Sequence, residues 1–412
     1  MAPVEFSARV AFRYANFRYF MTARLLITFA SEMQALAVAW QIYGMTHRPL
    51  DLGLVGLAQF GPGILLFLIA GHTADRVPRQ YILRWCYAAF SLCSLLLLAL
   101  SLHGLQSVWP IYAVLLFNGT VRAFNGPAGQ AFLPLLVPAE HFPNSVAWSS
   151  SIFQAATILG PLAGGVVYGL AASPVPVYLS AAAACLSAML LLFGVHIQRS
   201  AGARPAASLA VVLEGFRYIR CHKLILGAIS LDLFAVLLGG AVALLPVYAR
   251  EILNTGAYGL GLLRSAPGAG AVIMAIAMAH WPLRRRAGVT LFACVCAFGV
   301  FTVVFGVSRN LALSLAALML VGASDMVSVM VRHTLVQLRT PDDMRGRVSA
   351  VNMLFIGASN EVGQFESGVT AQWFGTVPAV ILGGAGAIAV VILWAWIFPQ
   401  LREVDELLPG ES

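Results

Sequence analysis

The chain has 412 residues, of which 60% are hydrophobic and only 10% charged, and its mean hydropathy is +0.84. A soluble domain carries about 25% charged residues, so this composition excludes one core wrapped in a polar surface. The formal charge of +8 comes from 25 basic residues, 24 of them arginine, against 17 acidic ones; its distribution along the chain favours membrane topology over nucleic acid as the explanation.

Runs of about 20 apolar residues form membrane helices. Twelve such runs occur, at 17–43, 52–72, 81–102, 108–129, 146–171, 175–195, 224–248, 257–279, 287–307, 311–333, 348–373 and 377–399. The expected fold is therefore an all-α membrane protein with twelve transmembrane helices. Arginines gather in the N-terminal tail, the even-numbered connections and the C-terminal tail, whereas only Arg48, Arg250 and Arg309 fall in odd-numbered connections. Cytoplasmic loops collect positive charge, so both termini are expected in the cytoplasm. No short apolar run ending in a small-residue cleavage site precedes the first span, which reads as an uncleaved anchor. The six cysteines have neither an extracellular pairing nor zinc-site spacing.

The first span carries Arg24, Glu32, Gln34 and Gln41. Ionisable groups at such depth are costly and face a protein interior or a watery cavity. Arg24 has a stem long enough to reach the interface, leaving snorkelling and function both open for it. Glu32 is deeper and shorter, which points to a functional site.

Between the second and third spans lies Gly71-His72-Thr73-Ala74-Asp75-Arg76-Val77-Pro78-Arg79-Gln80, expected as a cytoplasmic hairpin outside the hydrocarbon. Its Gly-x-x-x-Asp-Arg-x-x-Arg spacing (Gly71, Asp75, Arg76, Arg79) resembles the signature loop of major facilitator superfamily transporters. Pro78 stands where that family usually has Gly. The resemblance implies that Asp75 caps the N-terminus of span eleven and pairs with loop arginines, gating the cytoplasmic side.

The fourth span holds Arg122-x-x-x-Gly126, which resembles a superfamily motif whose arginine is associated with proton coupling. An arginine that merely pins neighbouring helices is the competing reading. The fifth span carries Gly160-Pro161-Leu162-Ala163-Gly164-Gly165. Small residues permit close helix contact and Pro161 permits a bend. The pattern is similar to the motif of the superfamily's exporters, which implies export.

Residues 196–222 form the longest polar connection. Arg199 to Ala207 reads as linker, and Leu209 to Arg220 as an interfacial amphipathic helix. The expected organisation is a six-helix bundle at 1–195, a cytoplasmic linker with its helix at 196–222, a second six-helix bundle at 223–402 and a cytoplasmic tail at 403–412. The halves repeat. An offset of 205 aligns Gly56 with Gly261 and Pro62-Gly63 with Pro267-Gly268, and one of 203 aligns Gly119 with Gly322 and Gly160 with Gly363. A parallel repeat with cargo between its halves is the architecture of this superfamily.

In Thr340-Pro341-Asp342-Asp343-Met344-Arg345-Gly346-Arg347, Thr340 suits an N-cap, Pro341 the first helical position and Asp343 a capping acid. A one-turn helix is expected before span eleven. The segment resembles the Pro-acidic-x-x-Arg-Gly-Arg loop of the branch that includes siderophore and macrolide exporters. Trp40-Gln-Ile-Tyr-Gly-Met-Thr-His47 and Glu214-Gly-Phe-Arg-Tyr218 are similar to relatives of enterobactin exporters.

Spans of the second half carry Asp232, Arg264, Asp325, Arg332, Glu361 and Glu366. Asp325 takes the repeat position of Arg122. Asp232, Arg264 and Asp325 are expected to form an ion network, serving either as structural glue or as cargo contacts. Asn360 and Glu361 share a polar helix with Glu366; the two acids lie about 140° apart around it, so only one is expected to face a cavity.

No zinc-protease motif and no phosphate loop is present, so neither an enzyme nor a cofactor is expected and energy must come from a gradient. The leading expectation is a monomeric secondary transporter in lipid of an inner membrane, exporting a small organic molecule against proton entry, with Glu32 carrying the proton and Arg122 setting its release. A lysophospholipid flippase, uptake of a metabolite and a non-transporting receptor are the rivals.

Overall fold

The computed structural model describes residues 9–196, 209–281 and 285–405, without the side chains of 67–68, 74–75 and 209–212. The expected linker at Arg199–Ala207, the last residues of the tail, Arg284 and the Asp75 side chain lie outside the described residues. Among the described residues no β-strand occurs.

Each of the twelve apolar stretches is largely helical, the seventh with an interruption. The first half contains α1 (Ala15–Thr46), α2 (Pro49–Arg76), α3 (Arg79–Leu102), α4 (Trp109–Phe132), α5 (Phe142–Ala171) and α6 (Val175–Phe193). The connection supplies α7 (Leu209–Cys221). The second half contains α8 (Lys223–Leu238), a single-turn α9 (Leu245–Val247), α10 (Gly256–His280), α11 (Ala287–Val307), α12 (Leu311–Arg339), α13 (Asp342–Phe374), α14 (Thr376–Ile397) and a short α15 (Pro399–Arg402). Among the described residues, ten stretches are both long and apolar enough to cross a membrane. The helices α4 and α13 are not among them, because Asn118, Arg122 and Asn125 dilute one and Asn360, Glu361, Gln364 and Glu366 the other.

Three local expectations change. Most of the Gly71–Gln80 hairpin is helix: α2 runs on through Arg76, and only Val77 and Pro78 separate it from α3. Nothing before Pro78 breaks the helix, and the Thr73 hydroxyl donates to the Ile69 carbonyl within it. Thr340 does not cap the next helix; its hydroxyl donates back to the Val336 carbonyl at the end of α12, 2.6 Å away. Helix α13 starts at Asp342 and continues unbroken to Phe374, with Asp342 and Asp343 in its first turn where the helix dipole favours acids. The seventh apolar stretch, by contrast, is broken after Leu238.

The chain packs as two compact units, Met1–Gln41 with Gly61–Ser208, and Ile42–Phe60 with Leu209–Ser412. The hairpin joining α1 to α2 thus belongs with the second half. In the first unit, Phe17, Phe20, Leu83, Phe132 and Cys185 anchor one core drawn from α1, α3, α4 and α6. The motif of α5 supplies its contact with α1. A Cβ at Gly160 would stand 2.6 Å from the Glu32 Cβ, and one at Gly164 would stand 3.1 Å from the Met33 Cα. Small residues are required there because the two backbones nearly touch.

The second unit uses the same device. A Cβ at Gly270 would meet the Met319 carbonyl oxygen at 1.8 Å, and one at Gly322 the Pro267 carbonyl oxygen at 1.9 Å, which fixes the crossing of α10 and α12. Within this unit the start of α2 packs on α13: a Cβ at Gly53 would lie 3.0 Å from the Phe365 Cα, and one at Gly368 2.9 Å from the Gly53 Cα. The hydroxyl of Tyr43 donates to Glu251. Helix α7 also docks on α13, through Gly215 against the Arg347 backbone, an ion pair of Glu214 with Arg347 at 2.7 Å and the rings of Phe216 and Phe355. Its apolar face therefore covers protein, with Ile219 buried beside Val348 and Val351.

Candidate functional site

The site grows from the break in the seventh stretch. After α8 ends, Gly239 and Gly240 turn the chain into a 3-10 segment (Ala241–Leu244), then α9, then a π-helical turn (Tyr248–Ile252). Glycine is needed at both positions: a Cβ at Gly239 would stand 2.5 Å from the Phe298 ring, and one at Gly240 would stand 3.1 Å from the Gly363 carbonyl carbon. Interrupted backbone at membrane depth persists only where it is buried in protein or lines a cavity.

Here it lines a cavity of about 250 Å³ inside the second unit, walled by α8, α10, α11, α12 and α13. The polar walls are Asp232, Asp325, Arg332, Asn360, Gln364 and the Gly239–Gly240 backbone; Phe298, Phe305 and Leu318 supply apolar ones. Arg332 donates to the Asp232 carboxylate. These two residues are only 3% and 6% exposed. Burying either charge alone would be far costlier than burying the pair.

Asp325 is half-buried and lies seven residues before Arg332 on α12, about two helical turns away. Among the described residues it makes no hydrogen bond and no ion pair. One turn on from it, Ser328 is 2% exposed and its Oγ has no hydrogen-bond partner. A second, smaller space of about 10 Å³ lies where Asp232, Asp325 and Ser328 meet.

Of the residues singled out in the sequence, Asp232, Asp325 and Asn360 come together at this cavity, while Arg264, Glu361 and Glu366 do not line it. Asp232 takes Arg332, not Arg264, as its ion-pair partner. Glu361 accepts from the Gln364 amide at 3.3 Å and faces Gly56 of α2. Glu366 accepts from the Thr370 hydroxyl at 2.6 Å.

In the first unit, Glu32 is half-buried against Gly160 and makes no hydrogen bond or ion pair among the described residues, so it is not paired with Arg122. Arg122 is exposed on α4. Gly160, Pro161, Gly164 and Gly165 are all buried. Arg79 donates to the Ala131 carbonyl at 3.1 Å, placing its charge at the C-terminal end of α4. Arg76 is exposed and Gly71 half-buried.

Sequence reasoning missed Ser328, Gln364 as a wall of the cavity, and the break at Gly239-Gly240. The signals were present: a Gly-Gly pair inside an apolar run, and a serine one helical turn from a buried acid.

The sequence profile of the transmembrane secretion effector family matches residues 6–409. The enterobactin exporter EntS of Escherichia coli O139:H28 (strain E24377A / ETEC) is 24% identical over 405 residues, covering 95% of this chain and 94% of that protein. The same identity and coverage hold for EntS of Shigella boydii serotype 18 (strain CDC 3083-94 / BS512). Among solved structures, a bacterial homologue of the human lysosomal transporter Spinster, inward-facing and occupied, superposes with a TM-score of 0.74 at 12% identity, covering 94% of this chain and 98% of that one. An inward-facing bacterial homologue of the iron transporter ferroportin gives 0.68 at 15% identity, covering 94% and 98%. Through the full-length profile match and this shared fold, the chain belongs to the transmembrane secretion effector family of the major facilitator superfamily, and is a multi-pass membrane transporter and not an enzyme.

Proposed function

We propose that the protein exports a small organic molecule across the inner membrane by alternating access, driven by protons moving inwards. The observation that carries this reading is the interrupted seventh stretch lining a charged cavity inside an otherwise apolar helix bundle. Discontinuous helices at mid-membrane are where secondary transporters of several folds bind cargo and coupling ions. The direction of transport follows the family description and the export activity named for the curated relatives.

All twelve long helical stretches cross the membrane in this proposal. Helices α4 and α13, though polar, have 24 and 33 residues, and about 20 suffice to span the hydrocarbon. Both termini lie in the cytoplasm in this reading, which the arginine distribution supports, and the protein works as a monomer surrounded by lipid. The cavity falls just below the range of about 300–1,000 Å³ usual for small-molecule sites, so it holds a compact cargo or one end of a larger one.

The test is a comparison of metabolites inside and outside cells that lack the protein, with a complemented strain as reference. Export predicts a compound that builds up inside and is depleted outside. Depletion inside would mean uptake, and movement of phospholipid without any soluble compound would mean a flippase.

A further inference from the structure

The cavity already described contains a smaller site with a chemistry of its own. Two carboxylates, Asp232 and Asp325, stand against one guanidinium, Arg332, and that guanidinium is bonded to Asp232. If both acids were ionised the cluster would keep one negative charge, on a carboxylate with no hydrogen bond among the described residues. Such a charge inside a membrane protein must be paired, neutralised or bound to a cation.

Ser328 independently points to an occupant. Its Oγ is buried, lacks any hydrogen-bond partner and faces the same small space as Asp232 and Asp325. At about 10 Å³ the space is about the size of a single water. Its remaining walls, Ala235, Val236, Val295, Phe298 and the Cys294 thiol, offer no side-chain oxygen. A metal cation wants several oxygen ligands, whereas a proton needs one carboxylate and one acceptor.

We propose that Asp325 binds the coupling proton, in a site completed by the Ser328 hydroxyl and the Asp232 carboxylate. This rests on the transport reading above and names its ion site. Asp325 takes one proton from water in the larger cavity, forming one O–H bond, and donates it in a hydrogen bond to Ser328 or Asp232; the cluster becomes neutral. Arg332 already engages Asp232 in its ion pair, which leaves Asp325 as the carboxylate without a hydrogen bond among the described residues. Along the two spaces that Asp325 lines, the other charged or titratable groups among the described residues are Asp232 and Arg332, facing it from α8 and its own helix, and Cys294 from α11. The walls from α10 and α13 contribute Pro267, Asn360 and Gln364, which do not titrate.

The experiment is infrared difference spectroscopy of the purified full-length protein, titrated across pH in sodium and in choline chloride, without any cargo. The expected result is a protonated-carboxyl C=O band that disappears on raising pH, is absent in Asp325→Asn, moves in frequency in Asp325→Glu and Ser328→Ala, persists in Glu32→Gln, and is the same in both salts. The proposal is overturned if the band survives in Asp325→Asn, if it vanishes in Glu32→Gln, or if sodium removes it at constant pH, which would identify a metal-cation site. Asp325→Glu keeps the test decisive should the asparagine variant not fold. Since no cargo is used, a titrating band in a protein that exports nothing would sink the transport reading and leave the site, and the reverse result would sink the site alone.

Discussion

Arg332 of α12 donates to Asp232 of α8, while Asp325, two turns earlier on α12, makes no hydrogen bond or ion pair among the described residues. The cavity is thus faced by an ion pair bridging α8 and α12 and by a second carboxylate on α12.

The pair makes a stability prediction. Removing one member strands a buried charge, which costs about 3 to 5 kcal/mol, whereas neutralising both does not. Arg332→Gln should lower the unfolding temperature in detergent markedly, and the double variant Arg332→Gln with Asp232→Asn should recover most of the loss. A double variant as unstable as the single one would show that the pair's value lies in its packing.

Gly164 meets the Met33 backbone, not cargo. Gly164→Leu should therefore force α5 away from α1 and lower the maximal transport rate at every cargo concentration, leaving apparent affinity unchanged. A normal maximal rate with weaker affinity would move Gly164 into the binding site. The measurement is the concentration dependence of initial rates.

Glycines in this fold are not equivalent. Gly322→Val places atoms into the Pro267 carbonyl, and overpacking of this kind costs about 1 to 3 kcal/mol or more, so folded yield should collapse. Gly126 has open space around its would-be Cβ; Gly126→Ala should be neutral or stabilising by up to about 1 kcal/mol through lower backbone entropy. Size-exclusion profiles and melting curves of the two variants separate these outcomes.

Helix α7 gives a contrast between charge and shape. The Glu214–Arg347 pair is partly exposed and pairs of this sort contribute about 0 to 1 kcal/mol, so Glu214→Ala should change little. Gly215→Leu collides with the Arg347 carbonyl, 2.6 Å from the would-be Cβ, and should undock the helix. Limited proteolysis within 209–221 should accelerate only in the glycine variant.

Much of this was legible in the sequence because the membrane imposes simple rules. Apolar length located every long helix, and the Gly-Pro-x-x-Gly-Gly pattern of α5 announced a close helix contact that proved to be with α1 at Glu32 and Met33. Two segments far apart in the sequence, Glu214–Tyr218 and Pro341–Arg347, meet through the Glu214–Arg347 pair. Pairing of buried charges was less legible. Arg264 and Arg332 both lie in spans, and only the helix rotations decide that Arg332 reaches Asp232. The assignment of Ile42–Phe60 to the second unit depends on backbone contacts of Gly53 and Gly368 that no local pattern encodes. For the same reason Glu32, the single acid of the first span, is conspicuous in the sequence, whereas the cavity of Asp325 exists only once five helices have packed around it.

Coupling itself is tested most directly by cargo flux in proteoliposomes, with the exported compound and an imposed pH gradient. The wild-type protein should concentrate cargo only while protons flow the opposite way, and Asp325→Asn should lose concentrative transport yet keep cargo exchange without a gradient, because the amide imitates the protonated acid. Accumulation by the wild-type protein that ignores the pH gradient, or concentrative transport by Asp325→Asn at the wild-type level, would contradict the account.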